Sequence, residues 1–309
     1  MSTRSDKIDA LSKQAASSDA GVSLTAAAWR RLRRNPVFIV GAVIISSFVI
    51  LAILSPWLAA HDPTDPMLGD QVIRARNQIP PPQDGHPLGG DQVGRDLLSR
   101  MLIGSQQTLL VGVLATLIGL TGGMVLGTLA GAFGGWVDSL VMRAVDVMLS
   151  IPGLLLAVSI GALFAKPNEF TVIIAVAVVQ IPVFARLLRG SMLAQRDSDH
   201  VLAARSLGVK QRAIVFRHML PNSLGPVIVQ STLVLAIAII EAAALSFLGL
   251  GNPDDRTPEW GAMLGQAQTV LDSHPQLAFY PAGAIVIVAL GFTLMGESLR
   301  EALDPKSRR

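Results

Sequence analysis

The 309-residue chain has no cysteine, a single tyrosine and only 15% charged residues. Without cysteine there is neither a disulfide framework nor a thiolate metal site. Charge this sparse excludes an ordinary soluble domain, in which about a quarter of the residues are Asp, Glu, Lys or Arg. Catalytic patterns are missing as well. No lysine follows a glycine, which excludes the G-x-x-x-x-G-K-S/T phosphate loop. His61, His86, His200, His218 and His274 each precede a residue other than glutamate, and no two lie four apart, which excludes a zincin helix. No serine stands in G-x-S-x-G. The chain is therefore read as a non-enzyme with no cofactor of its own. Any energy it uses must come from an ion gradient or from another polypeptide.

What the sequence does have is apolar residues gathered into blocks. They make up 51% of the chain, and blocks of about 20 are what a bilayer selects. The expected fold class is an all-α integral membrane protein with six transmembrane helices. The spans are read at 37–59, within Gly104–Phe133, and at about Leu140–Ala165, Glu169–Arg189, Asn222–Leu250 and Ala278–Arg300. The first block is long and no A-x-A site follows it, so it is read as a span and not as a cleaved signal. Lys and Arg divide unevenly between the two sides. With the N-terminus cytoplasmic, 19 of the 25 fall inside, leaving Arg74, Arg76, Arg95, Arg100, Lys166 and Arg256 outside. The positive-inside rule then puts both termini and residues 196–221 in the cytoplasm of a cell-membrane protein.

Residues 1–36 form a polar tail ending in the basic collar "WRRLRRNP", which suits anionic lipid heads or serves only as a topology signal. Membrane lipid is an expected partner; nucleic acid is not. Residues 60–103, dense in Pro, Gly and Asp, read as an ordered outer loop, and 251–277 as a second one. There "PEWGAML" reads as a short amphipathic piece with Trp260 at the interface. Residues 104–303 form the core, followed by a short tail at 304–309. Gly119, Gly123, Gly127, Gly131 and Gly135 recur every four residues, a spacing that lets another helix approach closely. Glu241 lies inside the fifth span, where a carboxylate faces a bundle interior or an aqueous cavity. It either lines a pathway or bonds neighbouring helices. A proton relay would show more acidic or histidine company than Asp146, which sits near Arg143.

Between the fourth and fifth spans runs "HVLAARSLGVKQRAIVFRHMLPN", basic and helix-forming. Ser198 or Asp199 can cap a helix of about two turns, Val201–Leu207, and Gly208 can end it in a left-handed turn. A second helix is expected from near Lys210, with Ala213, Phe216 and Leu220 on one face. Pro221 is tolerated in the first turn of the next span. The small residues Ala203 and Ala204 leave one side of the first helix open to close approach by another protein.

This segment resembles the EAA loop of ABC-importer permeases, whose pattern is E-A-A, three residues, Gly, nine residues, Ile, any residue, Leu-Pro. Ala203, Ala204, Gly208, Leu220 and Pro221 match it, while Leu202 takes the Glu position and His218 the Ile position. "HPLGGDQVGRDLLSR", "GAFGGWVDSLVMRAVDVMLSIPGLLLA", "EAAALSFLGLGNP", "PEWGAML" and "LREALDPK" resemble, in the same order, the C-type permease of dipeptide, oligopeptide and nickel importers. The resemblance covers about residues 28–306. It implies a type I importer core of five helices plus an N-terminal helix. It also implies a second, homologous permease as heterodimer partner, two ATPase subunits that bind ATP and Mg2+, and an extracytoplasmic substrate-binding protein. The run Val201, Leu202, Ala203, Ala204, Arg205, Ser206, Leu207 and Gly208, with Leu220 and Pro221, would then be the coupling segment that docks on an ATPase. Asp91, Arg95, Asp96 and Trp260 would be candidate contacts for the binding protein, or would pack against the partner permease. Glu241 would be the candidate pathway residue. Peptides are the expected substrate, with nickel or a metal chelate as the alternative. An ion-coupled transporter using Glu241 is a further rival.

Overall fold

A computed structural model of the chain describes residues 29–73, 78–253 and 257–303. The tail 1–28, Arg74, Arg76, Arg256 and residues 304–309, including the end of "LREALDPK", lie outside the described residues.

Helix α1 (Pro36–Leu58) begins where the Asn35 side chain accepts from Val37 N and Phe38 N, with Pro36 at a first-turn position that needs no donor. Helix α2 (Leu97–Phe133) is capped by Asp96, whose carboxylate accepts from Ser99 N. At 37 residues it is about 55 Å long, well beyond the roughly 30 Å of a hydrocarbon core. It stops at Gly134, where φ is +64°.

The third expected span is not one helix. Helices α3 (Gly135–Ser150) and α4 (Gly153–Gly161) meet at 96°. The break has a local cause: Pro152 disfavours the helical region for Ile151, which sits at φ −94°, ψ 131°. Helix α5 (Glu169–Arg196) starts with a reciprocal Asn168–Thr171 cap. Helix α6 (Asp199–Ser206) is short. Residues Gln211–Ala213 and a wider π turn, Ile214–Met219, run without a break into helix α7 (Leu220–Phe247). Helices α8 (Trp260–Ala267) and α9 (Gln276–Leu303) complete the described chain. Among the described residues, five helices are long and apolar enough to cross a membrane, and the bent α3–α4 pair makes a sixth crossing if it counts as one. No β-strand occurs among the described residues, only isolated bridges in the 73–96 loop.

The spans pack through small residues. On α2, a Cβ at Gly123 would lie 2.3 Å from Phe184 Cβ, one at Gly127 would lie 2.8 Å from Ala185 O, and one at Gly131 would lie 2.9 Å from Met192 Cβ. A Cβ at Gly119 would lie 2.9 Å from both Ala177 O and Gln180 Cβ. These four glycines put the α2 backbone directly on α5. Gly135 does not continue the row: it lies beyond the end of α2 with φ +55° and nothing within 4 Å. Gly41 of α1 makes the same kind of contact with α9, 2.9 Å from Gly291 O. One core cluster joins α1, α2, α7, α8 and α9, a second joins α2, α4, α5 and α7, and a third joins α5, α6, the π turn and α7.

Candidate functional site

At one end of the bundle, residues 198–221 form a knob. Helix α6 closes in a Schellman turn: Gly208 N donates to Arg205 O, Val209 N donates to Ala204 O, and Gly208 takes φ +74°. Val201 and Ala204 point into the core beside Phe184, Leu188 and Met192 of α5. Ala204 is therefore not part of an open face. With about 100° between residues, the side carrying Val201 and Ala204 is the buried one. The free side carries Leu202, Ala203, Arg205, Ser206 and Leu207, and Leu207 is 83% exposed. The second helix also differs from the expected α-helical face. Ile214, Val215 and Met219 are buried while Phe216 is 61% exposed, because the wider π turn changes which positions share a side. Leu220 and Pro221 begin α7, so the knob is continuous with a span.

Deeper in the bundle, Glu241 of α7 reaches the broken helix. A Cβ at Gly153, the first residue of α4, would lie 3.1 Å from Glu241 Oε1 and 3.3 Å from Val179 Cγ1. Glu241 Oε2 is buried and makes no hydrogen bond among the described residues. Gln180 of α5, 3% exposed, also has both amide atoms unpaired, and so does the hydroxyl of Thr116 on α2. Buried polar groups without protein partners cost stability and mark places with another use. Gln180 carries no charge and its neighbours "VVQIPV" have the pattern of ordinary span, so no local signal marks it. Asp146 pairs with Arg186 and Asp138 with Arg189 (2.6 Å), fastening α3 to α5; Arg143 is not the partner of Asp146.

At the opposite end, the residues expected to touch another protein are inside. Asp91 Oδ1 accepts from Val93 N and Arg95 N, and Oδ2 holds Arg95 Nε (2.7 Å) and Arg100 Nε (3.3 Å). Asp91, Arg95 and Asp96 are 8%, 5% and 1% exposed, and Trp260 is 1% exposed. Trp260 Nε1 donates to Met101 O, and its backbone N donates to Thr108 Oγ1. These four residues tie the two loops to α2, which removes them as surface contacts. Burial alone would push the Asp96 carboxyl up, but hydrogen bonds from Ser99 and His86 outweigh it and hold the group below the usual carboxylate range. Glu259 caps α8 through Gly261 N and Ala262 N. Burial raises its carboxyl against the pull of hydrogen bonds from Ser246, Gly261 and Ala262, and Glu169 across a shallow pocket adds to the rise.

Residues 123–309 match the family described as binding-protein-dependent transport system inner membrane component. Residues 23–81 match the N-terminal transmembrane domain of oligopeptide transport permease C. The chain belongs to this permease family of ABC importers. The permease is 40% identical to a dipeptide transport system permease of Alkalihalophilus pseudofirmus, over 91% of this chain and 90% of the relative. It is 41% identical to a probable D,D-dipeptide permease of Escherichia coli, over 89% of this chain and 90% of that one. A glutathione permease of Escherichia coli O157:H7 is 41% identical over 90% of this chain and 89% of its own. In fold, the permease is similar to the inward-facing MetNI methionine ABC transporter. The TM-score is 0.54 at 19% identity, over 67% of this chain and 96% of that one. The MetI-like architecture thus accounts for two thirds of the permease.

Proposed function

We propose that this permease is one half of the translocation pathway of an importer for short peptides. In this reading it pairs with a second, homologous permease, takes cargo from an extracytoplasmic binding protein, and is driven by two ATPase subunits that bind ATP and Mg2+. Dipeptide, D,D-dipeptide and glutathione permeases stand among its relatives. All three cargoes are short peptides, which favours peptides over a nickel ion or a metal chelate.

The observation that carries the coupling role is the two-faced knob. Its inner face, Val201 and Ala204, is locked into the α5 cluster, while its outer face offers Leu202, Ala203 and Leu207 to a partner. Force applied to α6 reaches α7 through the Schellman turn and the unbroken helix from Gln211 onward. Seven Lys and Arg in residues 186–217 put this end in the cytoplasm by the positive-inside rule. Glu241, at the far end of the same helix α7, lies where motion would change the pathway. Its carboxylate would tolerate a peptide's ammonium group.

The test is uptake into proteoliposomes by the complex co-purified with this chain. Peptide uptake should need ATP and survive a protonophore. Uptake that a protonophore abolishes and ATP depletion spares would favour an ion-coupled transporter.

A further inference from the structure

His61, His86 and Asp96 converge at the loop end of the bundle from three separate stretches of chain. His61 lies three residues beyond α1, His86 sits at a loop turn, and Asp96 caps α2. The two imidazoles stack at 4.3 Å between centroids, and His86 Nδ1 lies 2.9 Å from Asp96 Oδ1. One nitrogen of each ring and one Asp96 oxygen all lie within 4.8 Å of one another. We propose that these three side chains bind a single divalent transition-metal ion of the Zn2+ type, stapling the end of α1 to the loop and to the start of α2.

The donor set suits such an ion. Imidazole nitrogen and carboxylate oxygen are ordinary Zn2+ ligands at about 2.0–2.2 Å, and three protein ligands leave one position for water. Ligands at that distance in a tetrahedron stand roughly 3.3–3.6 Å apart. His86 Nδ1 and Asp96 Oδ1 are already near that spacing, and a ring nitrogen of His61 lies within 4.8 Å of both ligand atoms. A carbonyl oxygen can only accept, so the 3.0 Å contact of His61 Nε2 with Gly85 O places the ring proton on Nε2. In the neutral ring this leaves Nδ1 with its lone pair. The ion would take the place of the direct contact between His86 Nδ1 and Asp96 Oδ1.

The frame stands without the ion. Asp96 Oδ2 accepts from Ser99 N (2.7 Å), and Ser99 Oγ accepts from His61 N (3.3 Å). Such contacts beyond the ligand atoms orient ligands before metal arrives. His61 and His86 are both partly exposed, which leaves a path for entry. The proposal is independent of the transported cargo, since the site lies on the loop and not in the bundle.

The experiment uses the full chain on a histidine-free affinity tag, stripped with chelator and titrated with Zn2+ alone in nanodiscs. Wild type should take up one equivalent and show a higher unfolding midpoint with Zn2+ than with chelator. His61→Gln should weaken binding by more than roughly tenfold and abolish the Zn2+-dependent rise, while matching wild type in chelator. If His86→Gln or Asp96→Asn unfolds the loop, His61→Gln still decides the matter, because among the described residues that ring makes one hydrogen bond, to Gly85 O, beside its stacking on His86. A control, His200→Gln with His218→Gln, removes the other neighbouring histidine pair, whose rings lie 6.5 Å apart. Zn2+ binding unchanged in His61→Gln, lost in the His200/His218 control, or absent from wild type overturns the proposal.

Discussion

Glu241 occupies the space that Gly153 leaves empty: a side chain at Gly153 would begin 3.1 Å from Glu241 Oε1. The pair joins the one acidic position of α7, half-buried, to the first residue after the break in α3–α4. A helix broken in mid-bundle frees backbone groups that need a partner or a water-filled cavity, and a carboxylate set against the break is placed to use either.

Glu241→Gln keeps the shape and removes the charge. Uptake of a peptide with a free amino terminus should fall by roughly tenfold, equivalent to about 1.4 kcal/mol, while an N-acetylated peptide is affected less. Gly153→Ala should fall in the same direction by displacing the carboxylate. Uptake assays on reconstituted complexes decide it, and equal rates for Glu241→Gln and wild type on both peptides would remove Glu241 from the pathway.

Ala203 and Ala204 are adjacent in sequence and opposite in environment. Ala203→Glu should leave the permease folded and lower the recovery of ATPase subunits on co-purification, with loss of uptake. Ala204→Glu puts a carboxylate into an apolar cluster and should destabilise the permease itself by several kcal/mol. Comparing thermal unfolding with ATPase recovery separates the two. Gly208→Asp tests the turn that follows them, because φ +74° favours glycine.

Gly123→Ala should destabilise the α2–α5 contact by about 1–3 kcal/mol, since the new Cβ would lie 2.3 Å from Phe184 Cβ and 2.8 Å from Ile181 O. Gly190→Ala, in the interior of α5 with nothing within 4 Å, should instead stabilise by roughly 0.5–1 kcal/mol. Unfolding midpoints in one detergent measure both. The same sign for both would show that space at the interface is not what decides.

Asp96 sets a pH dependence. Its folded pKa is lowered, so its contribution is fully present above the unfolded value of about 3.9 and is lost as pH falls through the folded value. Asp96→Asn keeps a helix-capping oxygen and removes the titration. With chelator present, the variant's unfolding midpoint should vary less than wild type's below about pH 4. Parallel curves would assign the acid response to other carboxylates.

Much of this permease follows from local rules acting on its sequence. Apolar blocks the length of a bilayer, the Gly208 turn, the position of Pro221 and the order of the family motifs all rest on near neighbours in the chain and on the cost of putting polar backbone in lipid. The Pro152 signal for a broken third span was also in the sequence, but a run of apolar residues masks a bend. Distances between remote residues decided the rest. Asp91, Arg95, Asp96 and Trp260 look like surface chemistry, yet all four are buried, Asp91 against Arg100 and Trp260 against Met101 and Thr108 of α2. Ala204 turns inward because α5 lies behind it, and Phe216 turns outward because a π turn shifts the register. Glu241 meets Gly153 across 88 positions, and His61 meets His86 across 25, by numbering alone. Periodicity gives each helix a face, but only packing selects what that face meets.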